Sequence, residues 1–306
     1  MSRIVLLLAA TTLAVVLASG VALTAGMGPA KAAFPGRNGK IAFVRWTNEP
    51  RDIFVMNPHG TGVSKLATNP ALDNDPAWSS NGERLAFDAS QRGNTDIYVI
   101  KADGSGLKRI TKKRTDDRMP SWSPAGTRIA FTRGAEGNGG VGDIYTIRVD
   151  GTGLRQLTNN QALEEDPAWS PNGKKIAFTK SGRTQGSDIF TMNVDGTYKT
   201  NLTNAPRASE SQPSWSPDGS KIAFNKGHDI FKMNADGTHW MNLTGTRSSP
   251  AYAPAYSPNG KKIAFQSEYF NGNYQIYRMD ADGTDIQRLT KNSQDFEFLP
   301  DWQPIP

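Results

Sequence analysis

The 306-residue sequence predicts an all-β chain folded as a six-bladed β-propeller. Two observations carry that expectation. Six aromatic anchors, Trp78, Trp122, Trp169, Trp215, Tyr256 and Trp302, each stand two residues after a proline and recur at spacings of 44, 47, 46, 41 and 46. A period in the forties, built from short β-prone runs and turn residues, belongs to propeller blades, each a four-stranded sheet. The chain ends also hold complementary halves of one unit. Asn38-Gly39 matches the end of a first-to-second-strand turn, and Trp302-Gln303-Pro304 matches its beginning. The C-terminal inner strand is therefore expected to pair with N-terminal strands around Lys40 to Arg45. That pairing closes six sheets into a ring with no long exposed edge.

Residues 1–32 come first. Arg3 precedes an apolar run, Ile4 to Leu17, which thins through Ser19, Gly20 and Thr24 to the small-x-small sequence Ala30-Lys31-Ala32. This is the pattern of an export leader, so 1–32 is expected to be a signal peptide and 33–306 the propeller. An uncleaved membrane anchor is the competing reading, because weak apolar character continues to Ala25. The chain is expected to be exported, whether periplasmic, envelope-associated or secreted, with no membrane span after cleavage.

One repeat shows why each unit should form a sheet. Pro167-Ala168-Trp169-Ser170 is a short inner strand, Pro171-Asn172-Gly173 a turn, and Lys175-Ile176-Ala177-Phe178 a second strand of β-prone residues. Asp188 to Met192 forms a third strand, Asp195-Gly196-Thr197 a second turn, and Asn201-Leu202-Thr203 opens a short outer strand. The Ile/Leu-Ala-Phe triplet recurs at Ile41, Leu85, Ile129, Ile176, Ile222 and Ile263. It is apolar on both faces, as required when each sheet lies between two others.

Composition narrows the chemistry. The absence of cysteine excludes disulfides, thiolate nucleophiles and cysteine-ligated zinc. Only His59, His228 and His239 are present, in different repeats. Taking Arg3 and Lys31 from 35 basic residues leaves 33 against 29 acidic, a dispersed +4 that does not point to nucleic acid.

The pattern Pro-x-Trp-Ser-Pro-Asn/Asp-Gly-x-x-Ile-Ala-Phe, then Asp-Ile-Tyr/Phe, Asp-Gly-Thr and Leu-Thr, seen at Pro213 to Phe224 and Asp229 to Thr244, resembles the TolB-like propeller repeat. The resemblance spans 38–303. From the short stretch before Asn38 and the few residues after Trp302, neither the N-terminal α/β domain of TolB nor the hydrolase domain of peptidases with similar blades is expected. The resemblance implies an exported interaction module, and fold analogy carries no more than that.

Loop lengths locate a candidate site. From the second-strand Phe to the third-strand Ile the spans are 10, 10, 13, 11, 6 and 11 residues, whereas the other hairpin turns are tight and uniform. Recognition is therefore expected on the face that carries the second-to-third loops and the segments entering the inner strands. Three residues before the anchoring prolines stand Asp73, Asp117, Glu164, Glu210, Ala251 and Glu297, with Asp75 and Asp166 just inside. In a closed ring these carboxylates should circle the channel mouth, inside a rim of Arg45, Arg51, Arg92, Arg133, Arg183, Lys226 and Arg247 on outer loops. Two uses are open for them. They close loops by accepting backbone N–H groups or pairing with a cation such as Arg118, or they focus a negative potential on a basic segment or a divalent cation.

The leading functional reading is a non-catalytic binding or scaffold module, monomeric, docking a protein or peptide partner of the cell envelope at this mouth. No resident cofactor is expected, and a divalent cation at the mouth is the open alternative. The alternative activity is a channel-sited hydrolase or lactonase-like enzyme using carboxylates such as Asp75 and Asp166, with or without calcium. A Gly-x-Ser-x-Gly elbow, a His-Glu-x-x-His pair and a phosphate-binding glycine loop are all missing. Asp280 to Asp285 lacks the calcium-loop register and reads as a hairpin turn. The sequons at Asn201 and Asn242 fall on the repeat's own Leu-Thr, which points to a structural origin. Trp46 and Trp240 break the repeat and are expected to pack, with Trp46 on the variable face.

Overall fold

The computed structural model describes residues 31–47, 50–67, 71–91, 93–134, 142–182, 186–205, 208–245, 249–270, 273–291 and 294–306. Most of the expected leader, residues 1–30, lies outside the described residues.

Six four-stranded antiparallel sheets form the blades. In chain order of inner strands, blade 2 starts at Leu72–Trp78, blade 3 at Asp117–Trp122, blade 4 at Leu163–Trp169, blade 5 at Glu210–Trp215 and blade 6 at Ala251–Tyr256. Blade 1 is shared between the chain ends. Its inner strand is the C-terminal Phe296–Ile305, followed outward by Arg37–Trp46, Asp52–Met56 and Ser64–Lys65. Ile41 faces Trp302 and Arg45 faces Glu297 in that pairing, so the expected closure is present. Each inner strand contacts the inner strands of both neighbouring blades, which completes the ring.

The repeat signals take the roles expected of them. All six aromatic anchors are buried, each opposite the first residue of an Ile/Leu-Ala-Phe triplet: Trp169 faces Ile176, and Tyr256 faces Ile263. Every triplet is buried, because neighbouring blades cover both faces of each sheet. In the turn after Trp169, Gly173 has φ +71° and Asn172 Oδ1 accepts from Lys174 N. A side chain at that φ would be strained, which explains the glycine.

The Leu-Thr element fixes the outer part of each blade. Thr203 and Thr244 each accept the N–H of a third-strand isoleucine, Ile189 or Ile230, at 2.9 Å. Each hydroxyl also donates to the aspartate at the start of the third-strand Asp-Ile pair, Asp188 or Asp229. The neighbouring Asn201 and Asn242 side chains donate to the same aspartates, so both sequons are repeat structure. Asp282 Oδ1 accepts from Thr284 N and Oγ1 in a tight hairpin, as the turn reading anticipated. Trp240 packs edge-on against Phe224, and Trp46 lies against Phe296 with ring centroids 5.2 Å apart.

An element without a sequence signal runs through the centre. Lys31–Ala32 pairs parallel with the inner strand of blade 5, Lys31 opposite Ser214 and Ala32 opposite Trp215. This short strand also contacts the inner strands of blades 3, 4 and 6.

Candidate functional site

The inner strands carry the candidate residues in layers, and the layer nearest the mouth is the carboxylate set. Asp73, Asp117, Glu164, Glu210 and Glu297 sit at equivalent positions at the mouth end of their inner strands, all with no exposed surface. Four of them meet a cation directly across the strand pair. Arg133 grips Asp117 through Nε and Nη2, at 2.6 and 2.8 Å, and Arg45 donates to Glu297 at 2.5 and 2.8 Å. Lys226 reaches Glu210 at 2.7 Å and Lys180 reaches Glu164 at 3.2 Å. Aromatic rings of the blades support these cations from the other side, Tyr145 under Arg133 at 4.9 Å and Trp240 under Lys226 at 4.9 Å. Burial pushes the carboxyls of Asp117, Glu210 and Glu297 upward, and Arg133, Lys226 and Arg45 pull against that shift.

This layer differs from the expectation of an acidic centre inside a separate basic rim. Arg45, Arg133 and Lys226 belong to second strands, which run past the Ile-Ala-Phe triplet far enough to place a cation beside each carboxylate. The mouth therefore presents ion pairs in four blades and not an unopposed ring of negative charge. Asp73 faces Ala89 across its strand pair, and Ala251 faces Ser267. Arg51 lies 5.6 Å from the Trp46 ring, while Arg92, Arg183 and Arg247 lie outside the described residues.

The second layer is a bulge repeated in every blade. Asp75, Met119, Asp166, Gln212, Ala253 and Leu299, each just before its proline, all have φ between 53° and 59°. A non-glycine residue in the left-handed region costs of order 1 kcal/mol, and a following proline does not relieve it. At four of the six positions the N–H of the bulged residue bonds to the preceding blade. Met119 N donates to Asp88 Oδ1 at 3.1 Å, Gln212 N to Thr179 Oγ1 at 3.2 Å, Ala253 N to Asn225 Oδ1 at 2.9 Å and Leu299 N to Gln266 Oε1 at 2.9 Å. In each case the acceptor is the residue after the triplet Phe in the preceding blade. Ring closure is thus written into a side chain that composition alone does not mark.

The deepest layer carries the strongest electrostatics. Asp75, Asp88, Asp166 and Asp301 are all buried, and all act on the ammonium of Lys31, itself 1% exposed. Burial raises the Asp75 and Asp301 carboxyls to about 6, and Lys31 opposes both shifts. Asp88 is raised well above the usual range, chiefly by burial and by the charge of Asp75, to which it is hydrogen-bonded. Asp166 is also raised well above it, by burial and by Glu165. Burial lowers Lys31, against the pull of the aspartates. These carboxylates are bonded to protein groups. Asp301 Oδ2 accepts from Trp78 N at 2.7 Å, and Asp166 Oδ2 accepts from Thr179 Oγ1 at 2.8 Å. Among the described residues no group of three or more His, Asp or Glu could hold a metal ion. The three histidines stay apart: His59 meets Arg278, His239 meets Thr238, and His228 meets the hydroxyl of Tyr252.

Sequence reasoning placed Asp75 and Asp166 just inside the mouth and missed Asp88, Asp301 and Lys31. A signal existed for the first two. Asp88 stands where other repeats carry Val44, Thr132, Thr179, Asn225 or Gln266, and Asp301 where others carry alanine or serine. Lys31 was assigned to the leader.

A family model described as the TolB beta propeller domain matches residues 24–141, 135–251 and 205–304. No curated protein matches the chain. Among solved structures, TolB from Acinetobacter baumannii superimposes with a TM-score of 0.75 at 21% identity, covering 87% of this chain and 67% of that one. A putative TolB from Agrobacterium tumefaciens gives 0.65 at 21% identity, covering 87% and 99%. The hydrazine synthase of Kuenenia stuttgartiensis gives 0.74 at 17% identity, covering 89% and 48%. At these identities the likeness is one of fold.

Proposed function

The chain belongs to the TolB beta propeller domain family, and from that premise we propose that it is an exported, non-catalytic binding module whose loop face around the channel mouth docks a protein or peptide partner. The observation that carries this reading is the asymmetry between the two faces. One face bears uniform tight turns; the other bears second-to-third loops spanning 6 to 13 residues on a rigid closed scaffold, the arrangement in which binding residues usually sit. The ion pairs at Asp117, Glu164, Glu210 and Glu297 favour the reading too, because they fix the geometry of the mouth without spending exposed groups. The exposed run Lys112-Lys113-Arg114 leads into the blade 3 inner strand on this face and offers charge for steering a partner. Trp46 against Phe296, with Arg51 beside it, offers an aromatic contact of the kind enriched in interfaces.

The test is photo-crosslinking in the native host. A probe replacing exposed Thr115 on the loop face is compared with one replacing exposed Asp195 in a tight turn on the opposite face. The reading expects one discrete adduct from position 115 and none from 195. Equal capture at both positions, or none at either, contradicts it.

A further inference from the structure

The groups buried in the channel form a binding site with an occupant already in it. We propose that the channel interior is a lysine site filled in cis, with Lys31 as the resident counter-ion of the buried aspartates and the segment from Lys31 to Phe34 as a permanent part of the folded domain. This does not rest on partner docking at the mouth.

Four observations support it. Lys31 and Ala32 are hydrogen-bonded in register with the blade 5 inner strand, so the backbone of the segment is fixed and not merely lodged. The Lys31 ammonium donates to the carbonyl of Pro76 in blade 2, on another side of the ring. The following side chains pack into separate cores: buried Ala33 joins the cluster of Ala251 and Tyr256, and buried Phe34 joins that of Ala77 and Trp122. Finally, the aspartates need a cation. Asp75 Oδ1 and Asp166 Oδ1 are buried without a hydrogen-bond donor, and an ammonium beside them offsets the cost of any negative charge the cluster carries there.

The occupant explains the ligand chemistry. A primary ammonium on an extended chain fits, followed by two small residues, half-buried Ala32 and buried Ala33. The parallel pairing puts the Lys31 end of the segment on the mouth side of Ala32. A cationic side chain of any partner that enters from the mouth would therefore have to displace Lys31. The proposal also moves the expected leader boundary: processing must leave Lys31 attached, so the cut lies before it and not after Ala32.

Two measurements on the full protein test this. Amine acetylation of the folded chain, read by peptide mass spectrometry, should modify Lys31 at least about tenfold more slowly than exposed Lys101 and Lys112, because reaction waits on local opening. The N-terminal peptide of the protein isolated from its host should begin at or before Lys31. Acetylation of Lys31 at the rate of the exposed lysines, or a mature chain beginning at Ala33 or later, overturns the proposal. The double substitution Asp75→Asn with Asp301→Asn, if folded, should raise the Lys31 acetylation rate; an unchanged rate counts against the aspartates as its partners. If that variant does not fold, the two measurements on the unaltered protein still decide.

Discussion

Arg133 closes on Asp117 from the adjacent strand with two charge-assisted hydrogen bonds, the carboxylate fully buried and the guanidinium backed by the ring of Tyr145. The pair is the clearest member of a series, with Arg45 and Glu297, Lys226 and Glu210, and Lys180 and Glu164 at equivalent positions. A carboxylate ring that reads in sequence as a docking surface is in these blades a set of closed ion pairs.

Removing one member should therefore cost more than removing both. Arg133→Met leaves Asp117 buried and unopposed and is expected to destabilise the fold by about 3–5 kcal/mol, whereas Arg133→Met with Asp117→Leu should cost much less. Urea unfolding of the two single variants and the double variant checks this. Additive single effects would contradict it.

The threonine of the Leu-Thr element should matter for the same kind of reason. Thr244→Val keeps the shape but leaves the buried Ile230 N–H without its acceptor, at an expected cost of about 1–3 kcal/mol. A thermal melt reads the loss. The corresponding change at Thr203 should behave alike, since its Oγ1 accepts from Ile189 N at the same 2.9 Å.

The channel should confer a pH dependence of definite sign. Asp301 is raised to about 6, so its contribution to stability is fully present below its unfolded pKa near 3.8 and is lost as pH climbs through 6. Lys31 and the Trp78 N–H limit that loss by favouring the ionised form, and Asp75, Asp88 and Asp166 share the channel with it. Asp301→Asn retains an acceptor for Trp78 and removes the titration. The stability of the unaltered chain relative to this variant should fall between pH 4 and pH 7 by on the order of 2–3 kcal/mol. Unfolding midpoints across that range, showing a constant difference, would refute the assignment.

Much of the architecture was legible because propeller signals are local and repeated. Trp169 announces its blade through the proline before it, the Asn-Gly turn after it and the triplet it faces, all within a dozen residues. The ion pairs were not legible, because nothing local tells whether Arg133 ends a strand or begins a loop, and one residue of strand decides whether it faces Asp117. The left-handed φ of Met119 was hidden for a related reason: it belongs to a bulge whose N–H meets an acceptor, Asp88, in another blade. Lys31 lacked any local signal, since its setting is assembled by strands that begin more than forty residues later in the chain.

The pairing of the chain ends organises the whole molecule, and the absence of native cysteine makes it directly measurable. Arg37 and Ile305 are exposed cross-strand partners in the shared blade, close enough for a disulfide when both are replaced by cysteine. Oxidation of the Arg37→Cys, Ile305→Cys double variant should link the ends, seen as faster migration on a non-reducing gel and a higher urea midpoint than in the reduced form. Two thiols that remain free to alkylation in the folded, oxidised protein would contradict the closed ring.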